Sequence, residues 1–195
     1  MSRGILLVNL GTPASTSITD VRRYLNEFLM DRHVLNVPWA VRRIIVSCFI
    51  LPLRPARSAK AYAKIWTDRG SPLLVHTQSL GDAVGAKLSI PLAIAMRYGE
   101  PSIEGAVADL HRAGVRELLL IPLFAQHADS TRTTIIEAVT KALHDDTRLE
   151  VLPPFYAAPD YIDCQAQLLE QHLPEAWDHL LLSYHGLPER HLTDA

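Results

Sequence analysis

Short, continuous apolar runs recur along this chain, with helical patterns between them. Five such runs lie at residues 5–8, 92–96, 118–121, 149–152 and 180–182. Most of them lack the alternation of apolar and polar residues that marks a half-exposed strand, so they are typical of strands buried on both faces of a sheet. Strands of this kind alternating with helices predict an α/β fold, in which a parallel sheet is covered by helices.

Three segments between the runs carry the spacing and end signals of helices. An apolar stripe at helical spacing begins at Ile18, behind a capping residue type at Ser17. A second stripe starts after Ser102 and stops at Gly114, and a third covers residues 135–143. Each of these segments is long enough to cover the predicted sheet, so we expect a helix at each position.

Residues 38–68 break the alternation, because they predict one helix after another and no strand. Insertions of this length tend to be functional. The whole pattern predicts a first domain over residues 1–158 and the incomplete start of a similar second domain over residues 159–195. A parallel sheet needs a further crossover helix and strand after the run at 180–182, so we expect the second domain to be truncated.

Composition narrows the classes of protein to which the chain can belong. Its hydrophobic content of 48% and charged content of 21% are ordinary for a globular domain. The net charge of −2 and the scattered basic residues, including the solvated pair Arg42 and Arg43, predict no nucleic-acid partner. Cys48 and Cys164 form no CxxC pair, and we expect a reducing cytoplasm. The longest apolar stretch, residues 44–53, is about half of a bilayer-spanning helix.

Ligands of parallel α/β sheets bind beyond the carboxyl ends of the strands, so the loops there are the candidate sites. Four such loops occur, at residues 9–13, 97–101, 124–131 and 183–188, and we expect them to converge. His185 lies in the last of them, after an apolar run and within a Gly-Pro turn. A neutral imidazole there can accept a proton near neutral pH or bind ferrous iron, and the alternative is a structural histidine that is hydrogen-bonded to the turn.

The segment that contains His185, residues 182–190, resembles the signature of the ferrochelatases. Residues 7–13, 28–32, 70–73 and 96–98 also resemble that family, in the same order along the chain. The resemblance implies a Rossmann-like chelatase fold of which the second half is missing. It also implies insertion of Fe²⁺ into protoporphyrin IX, with loss of two pyrrole protons, to form haem.

The resemblance implies a role for each residue of a porphyrin site. His185 is the catalytic residue, as a proton acceptor, as a metal ligand or as both. An arginine fork suits a propionate carboxylate, which is the role implied for Arg54. The porphyrin-binding residues implied are Leu10, Arg54, Tyr62, Ser71, Arg97 and His127. The insertion offers an apolar lip for the ring, unless these side chains are core: Trp39, Ile44, Ile45, Phe49, Ile50 and Leu53.

Several positions depart from the family pattern. His127 stands where many members have a tyrosine, and Asp129 stands where cluster-bearing animal enzymes have a cysteine. We therefore expect no iron–sulfur cluster and no resident cofactor, with Fe²⁺ as a substrate. Leu10 favours the protoporphyrin type over the coproporphyrin type. The family's second catalytic carboxylate belongs to the missing half, and Glu189 lies too close to His185 to replace it, so we expect the chain alone to be inactive.

Two alternative functions and two further contacts follow from the same features. A short cobalt chelatase that acts on sirohydrochlorin is one alternative, although such proteins lack a helical lip. A non-catalytic tetrapyrrole-binding fragment is the other. The apolar lip offers a surface for peripheral membrane contact. An unpaired sheet edge at the end of the chain offers a contact for dimerisation or aggregation.

Overall fold

The computed structural model describes residues 2–188 and contains one parallel sheet within that part of the chain. Its strands are β1 (Ser2–Gly11), β2 (Leu92–Tyr98), β3 (Val115–Pro122) and β4 (Arg148–Val151). They lie in the order β2-β1-β3-β4, and every neighbouring pair is parallel. The α/β prediction is confirmed, and four of the five apolar runs form its strands.

Helices connect the strands and cover the sheet, and those of 38–68 follow one another as predicted. They are α1 (Ile18–Leu29), α2 (Trp39–Ile44), α3 (Arg54–Ala63), α4 (Pro72–Gly85), α5 (Ile103–Arg112), α6 (Thr134–Ala142) and α7 (Pro159–His172). A π-helical segment, Ile45–Ile50, continues α2, and another, Asp129–Thr133, precedes α6. Ser17 and Ser102 cap α1 and α5 as predicted, since their hydroxyls accept from the backbone N–H groups of Asp20 and Gly105.

Two apolar clusters hold the helices in place. The first joins β1 and β3 to α5 and α6, with Leu6, Leu120 and Ile135 each fully buried. The second joins α1, α3 and the first π-helical segment to the end of β2, around Val21, Val46 and Tyr98. The second cluster lies beneath the helical insertion, so it anchors residues 38–68 to the carboxyl end of β2.

The fifth predicted strand, at residues 180–182, is wrong for this structure. These residues form neither strand nor helix, and the side chain of Leu181 is 89% exposed. The preceding helix, α7, buries none of its residues, so it does not carry the chain back onto the sheet. A strand needs a neighbour for its backbone hydrogen bonds, and residues 180–182 have none within the described part of the chain. The division into domains at residue 158 stays a prediction.

Among residues 2–188, no helix is both long enough and apolar enough to cross a bilayer.

A candidate site at the carboxyl ends of the strands

Three of the four predicted loops meet at one edge of the sheet. Gly11 at the end of β1 pairs with Tyr98 at the end of β2, and Val8 pairs with Pro122 at the end of β3. Parallel neighbours in this register bring the loops at 9–13, 97–101 and 124–131 together, as expected. The fourth loop, which contains His185, follows no strand and does not join them by pairing to the sheet.

A buried carboxylate, Asp31, ties the end of α1 to this edge. Its Oδ2 accepts hydrogen bonds from Arg97 Nη2 at 2.6 Å, Tyr98 Oη at 2.8 Å and Thr134 Oγ1 at 2.5 Å. Its Oδ1 accepts from the backbone N–H of His33 at 2.7 Å. Arg97 Nε also donates to Thr134 Oγ1 at 2.7 Å, so the threonine accepts from the arginine and donates to the aspartate.

The charges in this network are fixed near neutral pH. Burial alone would raise the pKa of Asp31, but the hydrogen bonds from Thr134, His33 and Tyr98 and the charge of Arg97 hold that pKa below its usual value. Burial and the nearby carboxylate raise the pKa of Tyr98. Asp31 is therefore ionised and Tyr98 is a neutral donor. Two of the three guanidinium nitrogens of Arg97 are engaged in holding β2 against α1 and α6.

A second group of predicted residues surrounds the end of β1. Tyr24 donates a hydrogen bond to the carbonyl of Gly11 at 3.2 Å, and the ring of Tyr62 meets the ring of Tyr24 edge to face at 6.4 Å. Leu10 packs against the same apolar cluster. Burial raises the pKa of Tyr62, and the charge of Arg54 acts against that rise. The structure therefore brings Leu10, Tyr62 and Arg54 to one surface.

Ser71 and His127 lie on other walls of the same edge. Ser71 is buried at the start of α4, a helix that is tied to β1 by a 3.0 Å hydrogen bond from Asn9 Nδ2 to Thr77 Oγ1. His127 lies half-buried in the loop after β3, with its Nε2 at 3.8 Å from Asp129 Oδ1. His127 therefore lies beside a carboxylate.

The helical insertion presents apolar side chains to solvent. Trp39, Ile44, Phe49 and Leu53 are 57–77% exposed. The other two lip residues, Ile45 and Ile50, are half-buried. Val46, which lies in the same π-helical segment, is fully buried. The alternative that these side chains are core is wrong for the four exposed ones. An exposed apolar surface of this kind is typical of a ligand or interaction site.

No strand pairing joins His185 to this edge within residues 2–188. Its side chain is exposed, in an irregular segment, and no hydrogen bond to it is recorded within residues 2–188. Glu189 and Arg190, which end the signature, lie outside the described residues. The described part of the chain also holds no group of three or more histidine, cysteine or carboxylate side chains that is arranged to bind a metal ion.

The sequence alone missed the roles of three polar residues near this edge. Asp31 lies in residues 28–32, one of the segments that resemble the family. No sequence pattern indicates that its carboxylate accepts hydrogen bonds from Arg97, Tyr98 and Thr134. Thr134 lies just before the third predicted helix, and no pattern marks it as a partner of Asp31 and Arg97. The prediction of a solvated pair holds for Arg43, which is exposed and donates to Asn26, and is wrong for Arg42, which is buried. Arg42 is the only buried residue of α2.

Comparison with known proteins places the chain in a family. A sequence profile described as Ferrochelatase matches residues 2–195. The chain is 53% identical over 192 residues to a ferrochelatase of Ectopseudomonas mendocina, which covers 96% of the chain and 56% of that protein. It is 53% identical over 193 residues to a ferrochelatase of Pseudomonas fluorescens, covering 97% of the chain and 56% of the relative.

A third relative, a ferrochelatase of Stutzerimonas stutzeri, is 50% identical over 194 residues, which are 97% of the chain and 57% of that protein. The chain thus spans a little more than half the length of the curated relatives it matches. The profile match runs through the strand-end loops and the helical insertion, so the region described above is the family's own sequence and not an unrelated domain. On these grounds the chain belongs to the ferrochelatase family, as a protein similar to the N-terminal part of its relatives.

Proposed function

We propose that this chain serves an enzyme that inserts Fe²⁺ into protoporphyrin IX, with release of two pyrrole protons, and that the 195-residue chain alone does not complete the reaction. The observation that carries the proposal is family membership over nearly the whole chain. The exposed lip supports it further, because a flat apolar macrocycle needs an apolar surface beside the polar edge of the sheet.

Both the apolar ring and the propionate carboxylates of the porphyrin have suitable side chains to contact on this surface. The lip side chains Trp39, Phe49 and Leu53 offer contact to the ring, and Arg54, one residue after the lip, offers a charged fork to a propionate. Tyr62 and Leu10 lie beside it on the apolar cluster. In this proposal the carboxylates of the porphyrin point toward α3, and its metal face points toward His185.

His185 is the proposed acceptor of a pyrrole proton, the first ligand of Fe²⁺, or both in turn. In the isolated chain it is exposed and held by no recorded hydrogen bond within the described residues, so it lacks the positioning that proton transfer needs. Asp31 does not replace the family's second carboxylate, since its oxygens are already engaged by four donors. These two observations support the proposal of an inactive chain.

We expect no metal insertion by the purified 195-residue chain. The assay follows the Soret band of protoporphyrin IX with Fe²⁺ under anaerobic conditions, and a full-length relative serves as the positive control. A shift of the band without turnover also separates porphyrin binding from catalysis. Turnover by the chain that is lost in His185→Ala would contradict the proposed inactivity and would support His185 as the catalytic residue.

Arg54 gives a test of porphyrin binding that does not require turnover. Replacing it with glutamine is expected to weaken protoporphyrin binding about tenfold, since one charge-assisted hydrogen bond to a carboxylate is lost. Arg57→Gln, which removes an exposed arginine from the same helix, is the matched control and is expected to change little. A porphyrin without carboxylates should bind both variants equally. Equal affinity of the Arg54 and Arg57 variants for protoporphyrin would contradict the assignment.

We also propose that the protein has no resident cofactor and that it is located in the cytoplasm. The two cysteines, Cys48 and Cys164, are free and exposed, which supports a reducing compartment. A fragment that binds porphyrin without turning it over remains the second candidate, because the chain carries the lip and Arg54 but not the second half of its relatives. Adding the C-terminal half of a full-length relative distinguishes the two, because only the enzyme part should then insert the metal.

A further inference from the structure

Arg42 is a buried cation without a partner. It is 6% exposed, and its Nε and Nη1 have no hydrogen-bond partner among the described residues. A guanidinium keeps its charge under all conditions in which proteins fold, and a buried charge is costly unless it is paired. The sequence retains this arginine on a short helix whose other side chains are mostly exposed. An unpaired buried cation therefore points to a group that binds it.

The unpaired side chain lines a cleft of about 520 Å³ between the end of α1, α2, β2, α5 and α6. Several charged side chains line this cleft, but four of them already form two pairs. Asp31 is paired with Arg97 at 2.6 Å, and Glu137 is paired with Arg32 at 2.6 Å. These pairs are neutral overall, so they neither attract nor repel a charged ligand strongly.

The remaining charged groups of the cleft are two cations and two carboxyl groups. Arg42 has no partner, and no ion pair to Lys141 is recorded within residues 2–188. Glu27 accepts a hydrogen bond from the backbone N–H of Gly99 at 3.1 Å. Glu104 lies in the first turn of α5, where the helix dipole offsets its charge. Lys141 likewise lies in the last turn of α6, where the helix dipole offsets its charge, so Arg42 is the one charged group of the cleft that has no partner among the described residues.

We propose that this cleft binds a small oxyanion, with Arg42 as the principal ligand and Lys141 as a second positive charge. The chemistry is that of a phosphate or a carboxylate, because the planar guanidinium fork matches both groups. Leu10, Arg54 and Tyr62 of the proposed porphyrin surface do not line the cleft. Arg97, which was also implied as a porphyrin-binding residue, does line it, but its guanidinium is engaged by Asp31 and Thr134. The cleft therefore supplies the chain with a second ligand and not with another contact to the ring.

The test uses inorganic phosphate and citrate as separate probes for the two sources of oxyanion. At matched ionic strength, millimolar phosphate or citrate is expected to raise the melting temperature of the 195-residue chain by about 2–4 °C relative to chloride. Whichever probe acts at lower concentration identifies the class of ligand. Equal melting temperatures in phosphate, citrate and chloride would overturn the proposal.

Substitutions assign the effect to Arg42. Arg42→Gln should lose the shift in melting temperature, and in chloride it should be no less stable than the wild type, because an unpaired buried charge has been removed. Arg43→Gln, the exposed neighbour on the same helix, should keep the full shift. A stable Arg42→Gln variant that responds to phosphate like the wild type would show that the anion binds elsewhere.

Two milder variants keep the test decisive if Arg42→Gln fails to fold. Arg42→Lys retains the charge but loses the fork, and it is expected to weaken binding about tenfold. Lys141→Gln changes an exposed position and is expected to weaken binding about threefold. Unchanged affinity in both variants, measured by calorimetry, would overturn the proposal.

Discussion

Replacing Gly11 with alanine is expected to destabilise the chain by about 4 kcal/mol or more, an exceptional loss for the addition of one methyl group. Gly11 has a φ of 114°, which side-chain-bearing residues rarely adopt. A Cβ at this position would lie 1.9 Å from the carbonyl oxygen of Tyr98 and 3.0 Å from its backbone nitrogen. Backbone atoms of a paired strand cannot move aside, so the carboxyl ends of β1 and β2 would have to separate.

Gly70 provides the matched control for this prediction. Its φ of 105° imposes a similar strain on alanine, but no atom lies within 4 Å of the added Cβ. Gly70→Ala should therefore cost only the backbone strain, about 1–2 kcal/mol. The measurement is urea unfolding followed by circular dichroism. Equal losses in the two variants would show that the contact with Tyr98 does not decide the effect. An unfolded Gly11→Ala chain beside a folded Gly70→Ala chain would support it.

Much of the fold was predictable because its signals are local. Buried parallel strands are continuous apolar runs, and helices begin at capping serines, so β1 to β4 and the start of α1 and α5 follow from short stretches of sequence. These predictions depend on residues that are neighbours along the chain, and periodicity reports such neighbours directly.

The parts that failed depend on distant contacts. The run at residues 180–182 has the composition of a strand, but a strand forms only beside another strand, and no pattern within the run reports whether one is available. Arg42 and Arg43 are adjacent and chemically identical, yet one is buried and the other exposed. Asp31 acquires its role from Arg97, 66 residues away, and Thr134, 103 residues away. Periodicity does not encode such pairings.

Replacing Asp31 with alanine is expected to destabilise the chain by about 3–5 kcal/mol. The substitution removes the acceptor for Arg97, Tyr98 and Thr134 together, and it leaves a largely buried guanidinium without its countercharge. The control is Asp109→Ala, which breaks an exposed ion pair with Arg112 and should change little. Urea unfolding of both variants measures the difference. Similar unfolding midpoints for the two would mean that the Asp31 network contributes no more than a surface pair.

The same carboxylate should give the chain a defined acid sensitivity. Because the folded state lowers the pKa of Asp31, the unfolded state binds its proton more readily, and the stabilisation is complete above the ordinary aspartate pKa and is lost as the pH falls through the lower folded pKa. The free energy of unfolding of the wild type should therefore exceed that of Asp31→Asn by a constant amount above about pH 5. This difference should shrink as the pH is lowered below about 4, because the unfolded wild-type chain then takes up a proton at Asp31 before the folded chain does. A difference that grows on acidification would mean that burial outweighs the hydrogen bonds and that Asp31 is held neutral, which would reverse the charge assigned to the whole network.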